Sequence, residues 1–175
     1  MDIITLNDDL IQEAYDYAYK SKDYLSDRHS FHSGTTKDKL KKMYEGKLGE
    51  KIFKQYMLNN NLKFKEDSTH YTKADDYDFI LKEKYSVDVK TRTQNYHIRT
   101  LEMVEQFKKK PKDVYVSVRL YAETNTGYIV GWFGRNDVKK NNRIENNGYL
   151  DNYVFYDNEL RNIDVLLNIL ISGRR

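Results

Sequence analysis

Two strand-like runs near the middle of the chain carry charge where a buried strand should carry none, and this constrains the fold more than any other feature. Residues 77–93 read YDFILKEKYSVDVKTRT. The runs over 78–81 and 85–91 are joined by the polar Lys82-Glu83-Lys84, which predicts a hairpin. Strand side chains alternate between faces, so Val87 and Val89 share one face while Asp88 and Lys90 project from the other. Across the turn, Phe79 and Leu81 should bury on the face opposite Asp78. The valines belong to a core and the charged groups to a cleft. There they must pair with one another or with a metal, because unpaired buried charge is costly.

Periodicity around the hairpin supplies the remaining elements. A first helix is predicted over 6–25, capped by Asn7 with Asp8 and Asp9 in its first turn and continuing through Leu10, Ile11, Ala14, Tyr15 and Ala18. A polar loop over 26–35 leads to a long helix over 36–59, with Leu40, Tyr44, Leu48, Ile52 and Tyr56 in an i, i+4 stripe. A short strand follows over 62–65. Beyond the hairpin come a helix over 100–110 ended by the only proline, Pro111, and strands over 113–121, 127–133 and 153–156,. A final apolar helix covers 160–171. This order places the chain in the α/β (α+β) class, with a central mixed sheet flanked by helices and further helices at both termini. Its 175 residues are the size of one domain,: a core over about 36–121, the helix over 6–25, and a strand-and-helix extension over 122–175.

With no cysteine in the chain, any metal must be held by oxygen or imidazole ligands, which favours hard cations such as magnesium. His29 and His32 are spaced i, i+3 but lack a third ligand, and His70 and His97 are uninformative. The net charge of +3 is too mild to argue for nucleic acid by itself,. Sixteen tyrosines among frequent Lys and Asn offer stacking faces beside phosphate-binding charges, and the same enrichment follows from an A/T-rich coding bias. No apolar run approaches the roughly 20 residues of a membrane span. The expectations are a cytoplasmic location, no membrane partner and no small-molecule cofactor.

The pattern Asp78, nine residues, then Asp88-x-Lys90 resembles the motif of the PD-(D/E)XK, or restriction-endonuclease-like, nucleases. GKLGEKIF over 46–53 is similar to the Gly-x-x-Gly-Glu of that family's first helix. The order helix, three strands, helix, strand resembles its αβββαβ core, and GYIVGWFGRNDV over 127–138 resembles an extension of restriction-like members. Tyr77 stands where the motif has proline, and Asp75 and Asp76 compete with Asp78 for the first acidic position.

The resemblance implies a magnesium-dependent DNA endonuclease, with manganese as a substitute, that leaves a 5′ phosphate. Asp78 and Asp88 would hold the cation with the carbonyl of Val89, and Lys90 would lose proton affinity beside it and orient or deprotonate the attacking water. Glu50, directly or through water, would complete the set, with Glu45 as second choice, the other reading of Glu50 being a surface salt bridge with a neighbouring lysine. On a helical projection Glu50 falls beside Met43 and Met57 rather than with Lys47, Lys51 and Lys54. Gly46 and Gly49 would let the helix approach the sheet, at about 1 kcal/mol each relative to Ala.

Thr91, Arg92, Thr93 and Gln94 follow the motif lysine and suit phosphate contacts. Lys108, Lys109, Lys110 and Lys112 form a basic run that could follow a DNA backbone, the alternative in each case being a solvated polar face. Trp132 and the stripe Ile163, Leu166, Leu167 and Leu170 read as core or dimer surface, a homodimer being the arrangement in which two strands are cut. The other reading is a DNA-binding or assembly protein on the same fold that no longer turns over substrate.

Overall fold

The structure, a computed structural model, describes residues 2–28, 35–67, 76–146 and 150–172. His29, His32, His70 and Asp75 lie outside the described residues. The chain opens with a short strand β1 (Ile4–Thr5) and helix α1 (Asp8–Arg28). Asn7 caps α1 as expected, its side-chain carbonyl accepting from the Leu10 amide at 2.9 Å,. Helix α2 (Thr36–Asn59) starts in a capping box: the Thr35 hydroxyl accepts from the Asp38 amide, and the Asp38 carboxylate from the Thr35 amide,.

Strands β2 (Phe64–Glu66), β3 (Phe79–Leu81) and β4 (Tyr85–Arg92) follow. The turn between β3 and β4 holds Lys82 and Glu83 at φ of 50° and 55° and closes with the Lys84 amide on the Leu81 carbonyl at 3.0 Å. Two positive φ values make this the hairpin geometry whose twist matches the strands.

Strand β5 (Arg99–Met103) and helix α3 (Val104–Lys109) lead to β6 (Val114–Tyr121) and β7 (Thr126–Gly134). Helix α4 (Arg135–Lys140), strands β8 (Ile144–Asn146) and β9 (Asp151–Tyr156), a 3-10 turn (Asp157–Glu159) and helix α5 (Ile163–Ser172) complete the fold.

The architecture is mixed α/β. A six-stranded sheet runs in the order β1-β7-β6-β4-β3-β2, and a three-stranded sheet in the order β5-β9-β8. Among the described residues only β4 and β6 pair in parallel; the other neighbours are antiparallel. A parallel pair needs a crossover, and β5 with α3 provides it. One face of the large sheet packs on α2, where Leu48, Ile52, Phe53 and Met57 meet Phe79, Leu81, Val87 and Val116 in one buried cluster. A second cluster of Phe107, Tyr115, Phe133, Val138 and Phe155 fills the other face. Trp132 joins the first cluster with Leu166 and Leu170. Among the described residues no helix is long and apolar enough to cross a membrane.

One expectation is corrected. The helix over 100–110 is a strand followed by a six-residue helix. In β5 the buried side chains are Thr100 and Glu102 while Leu101 and Met103 face out, so the usual hydrophobic alternation is inverted. The extension over 122–175 contributes β9, which pairs residue for residue with β5, Glu102 opposite Tyr153.

Candidate active site

Strand β4 places Asp88 and Lys90 on the face away from α2, both partly buried, while Val87 is fully buried in the core. Lys90 Nζ lies 2.7 Å from Asp88 Oδ2 and 2.7 Å from Glu102 Oε2. Neither oxygen receives a well-aligned hydrogen bond from a described group, so the ammonium holds both acids mainly by charge. The Lys90 ammonium also stands 5.8 Å from the centre of the Tyr115 ring. Beside it the Thr100 hydroxyl donates to Ser117 Oγ at 2.8 Å, which satisfies two further buried polar groups.

Glu102 is the residue sequence reasoning missed. Only 1% of its surface is exposed, and its ion pair with Lys90 bridges the two sheets. The signal was the charge at the second of two alternate positions, Thr100 and Glu102, hidden by the more apolar Leu101 and Met103 between and after them.

Burial, the largest single influence, pulls the proton affinity of Lys90 down, but the charges of Asp88 and Glu102 outweigh it and raise it above the ordinary lysine value. An ammonium in this position is suited to orienting a water or phosphate oxygen. Burial raises Glu102, against the lowering influence of Lys90.

Asp78 sits just before β3. One carboxylate oxygen accepts the Val89 amide at 2.6 Å, and its own amide donates to the Val87 carbonyl at 2.9 Å. This ties the first acid to the backbone of the Asp-x-Lys strand. Burial, then the charges of Glu50 and Asp88, push the Asp78 carboxyl well above the usual range, while Lys47 and the Val89 amide act the other way. Glu50, Asp78 and Asp88 are therefore within electrostatic reach of one another. Asp76 is turned elsewhere: its carboxylate pairs with Lys110, and it is 65% exposed. Of the two described contenders, Asp78 is the one facing the site.

Glu50 is partly buried, its carboxylate 2.9 Å from Lys47 Nζ, and Glu45 pairs with Lys41 at 3.7 Å. Lys47 and Lys51 do not stand on a solvated side of α2. Both are buried because α1 covers that side: Lys47 lies 4.2 Å above the Tyr17 ring, and Lys51 reaches Glu13 and Glu66 at 2.7 and 2.5 Å.

Gly49 fulfils the expected close approach, since a Cβ there would fall 1.9 Å from Thr91 Oγ1. Gly46 does not, having nothing within 4 Å of the same position, although its carbonyl accepts the Thr91 hydroxyl at 3.3 Å.

A groove of about 1080 Å³ is lined by Val89 and Lys90 but not by Asp78, Asp88 or Glu102. One wall is the α2 stripe of Asp38, Lys41, Lys42, Glu45 and Glu50, the floor includes Val89 and Lys90, and the other wall is residues 91–94 and 96–101. Thr93 and Gln94 line it. Arg92 is different: it is 6% exposed, and its guanidinium turns inward to the His97 carbonyl at 2.9 Å and to Asp157 at 2.7 Å. Lys108, Lys109 and Lys110 are exposed and do not line the groove, and Lys112 is buried with its ammonium on the Lys110 carbonyl at 2.7 Å.

Among the described residues no three His, Cys, Asp or Glu side chains form a ready-made cation cluster. Magnesium needs only one or two carboxylates and keeps several waters. Burial, then the charges of Glu50 and Asp88, disfavours the ionised Asp78 carboxyl, and a divalent cation held by Asp78 and Asp88 would offset this. No family model, no curated protein and no solved structure matches this chain.

Proposed function

We propose that the chain is a magnesium-dependent DNA endonuclease built on a restriction-endonuclease-like core. The observation that carries this reading is the convergence of Asp78, Asp88 and Lys90: the Asp78 carboxylate is bonded to the amide of Val89, the residue between Asp88 and Lys90. Element order supports the same reading. Helix α2, antiparallel β2, β3 and β4, helix α3, and β6 parallel to β4 follow the αβββαβ order, with β5 interposed.

Asp78 and Asp88 would hold the ion, with the Val89 carbonyl and Glu50 completing the set, and manganese could replace magnesium. When bound, the cation offsets charge on the scissile phosphate and acidifies water. The protein's own groups do the rest. Lys90, held charged by Asp88 and Glu102, donates to the phosphate or to the attacking water and orients it. Glu50, paired with Lys47, is one of the acids that face the groove from α2. Lys41 and Lys42 on the rim attract the polyanion, and the Thr93 and Gln94 side chains suit its phosphate oxygens.

The test is cleavage of plasmid and linear DNA with magnesium or manganese. Wild type should cut and leave 5′ phosphates, EDTA should stop it, and Asp88→Asn and Lys90→Ala should each lose at least ~100-fold, the usual scale of a positioned catalytic group. Metal-independent DNA binding with no cutting of any substrate would instead identify a binding or assembly protein.

A further inference from the structure

The segment following the motif lysine is held with unusual firmness for a surface loop. The Arg119 guanidinium donates to the Gln94 carbonyl and, at 2.5 Å, to the His97 carbonyl, which also accepts Arg92 at 2.9 Å. The Ile98 carbonyl takes the Asp157 amide at 3.1 Å, and the His97 amide closes a turn on the Gln94 carbonyl at 3.0 Å. Both arginines are buried, at 6% and 4% exposure. Burying two guanidiniums to fix two loop carbonyls is costly, and the loop so held shows two large apolar side chains to solvent. Tyr96 is 75% exposed and Ile98 56%. The Tyr96 and His97 rings meet edge to face with centroids 4.6 Å apart, and most of the Tyr96 side chain stays open to solvent.

Tyr96 and His97 line the groove whose floor holds Lys90 and whose opposite wall carries Lys41 and Lys42. An aromatic face on a fixed support, across a groove from cations, is the chemistry that takes a nucleobase by stacking while its phosphate is held by charge. Little ordering entropy remains to be lost on binding, since the loop is already anchored. Bases inside a continuous duplex present no free face, so the matching ligand is an unpaired one.

Resting on the nuclease reading above, we propose that Tyr96 is a stacking platform and that the groove takes a single-stranded stretch of DNA, one of whose bases lies on the Tyr96 ring. The platform and the chemistry can fail separately, so binding is measured in EDTA. Fluorescence anisotropy with a labelled dT12 and with a blunt 12-base-pair duplex compares wild type, Tyr96→Ala and Tyr96→Phe. Wild type should prefer dT12. Tyr96→Ala should lose about tenfold or more on dT12 and less than about twofold on the duplex, while Tyr96→Phe keeps the dT12 affinity. Equal dT12 binding by wild type and Tyr96→Ala, an equal loss on both ligands, or a wild-type preference for the duplex overturns the platform, whatever the cleavage assay shows. A wild type that prefers dT12 through Tyr96 yet cuts nothing with magnesium supports the platform and overturns the endonuclease reading alone.

Discussion

Replacing Gly49 by alanine should damage this protein even though alanine is the better helix former. The added methyl would lie 1.9 Å from Thr91 Oγ1, 2.6 Å from its Cγ2 and 2.8 Å from its Cβ. Rotating the threonine cannot remove the last contact, so α2 must move away from β4. Overpacking of this kind costs about 1–3 kcal/mol, and the hydrogen bond from Thr91 to the Gly46 carbonyl, worth about 1 kcal/mol, is lost as well. Against this stands a propensity gain of about 1 kcal/mol. Gly46→Ala, with nothing within 4 Å of its new methyl, keeps the gain without the clash and is the built-in control.

Urea unfolding should therefore show Gly46→Ala more stable than wild type by about 1 kcal/mol and Gly49→Ala less stable by about 1–3 kcal/mol. In a Thr91→Gly background, which removes all three clashing atoms, the penalty of Gly49→Ala should vanish. Because Glu50 is the next residue, the shifted helix should also lower magnesium-dependent cleavage by about tenfold or more. Gly49→Ala equal in stability to Gly46→Ala would refute the reasoning.

Two further outcomes concern the charges. Asp78 has a raised carboxyl in the native state, so it disfavours folding above that native value, and the penalty is relieved as pH falls toward the ordinary carboxylate value near 4,. Without added divalent ions Asp78→Asn should raise the Tm at pH 7 by roughly a few degrees and abolish the mild-acid gain of wild type. Magnesium should stabilise wild type alone, and a thermal scan in which Asp78→Asn melts lower at pH 7 counts against the crowding of acids. Lys90→Met strands Asp88 and Glu102 without their cation and should cost on the order of 2–4 kcal/mol. Adding Glu102→Gln should recover part of that loss in urea unfolding, and strictly additive effects would show that Glu102 and Lys90 are not coupled.

What the sequence disclosed and what it hid follow from how locally each feature is determined. The bounds of α2, the cap at Asn7 and the opposite faces of Val87 and Asp88 depend on neighbours a few residues away, and the periodicity shows them. The hairpin turn was legible from its polarity, although no glycine marks the positive φ at Lys82 and Glu83. Strand β5 was not legible because its inner face is polar, and Thr100 and Glu102 are buried only where Ser117 and Lys90 receive them. Lys47 and Lys51 are the reverse case, charged side chains that are buried. A projection of α2 alone does not contain α1, whose Tyr17 and Glu13 meet them. Arg92 illustrates the limit for binding residues: its type suits phosphate, but its partner Asp157 lies 65 positions further along the chain.

The pairing of β5 with β9 gives the late part of the chain a say in the chemistry. A polypeptide shortened to the conventional helix-and-strand core would retain Asp78, Asp88 and Lys90, yet it would lose the strand that zips alongside Glu102 and the carboxylate that answers Arg92. Glu102 would then lose the strand that seats it beside Lys90, and the loop bearing Tyr96 would give up one of its fastenings. Swapping or trimming the last third of this molecule would thus reach the charges around Lys90 as surely as editing the motif.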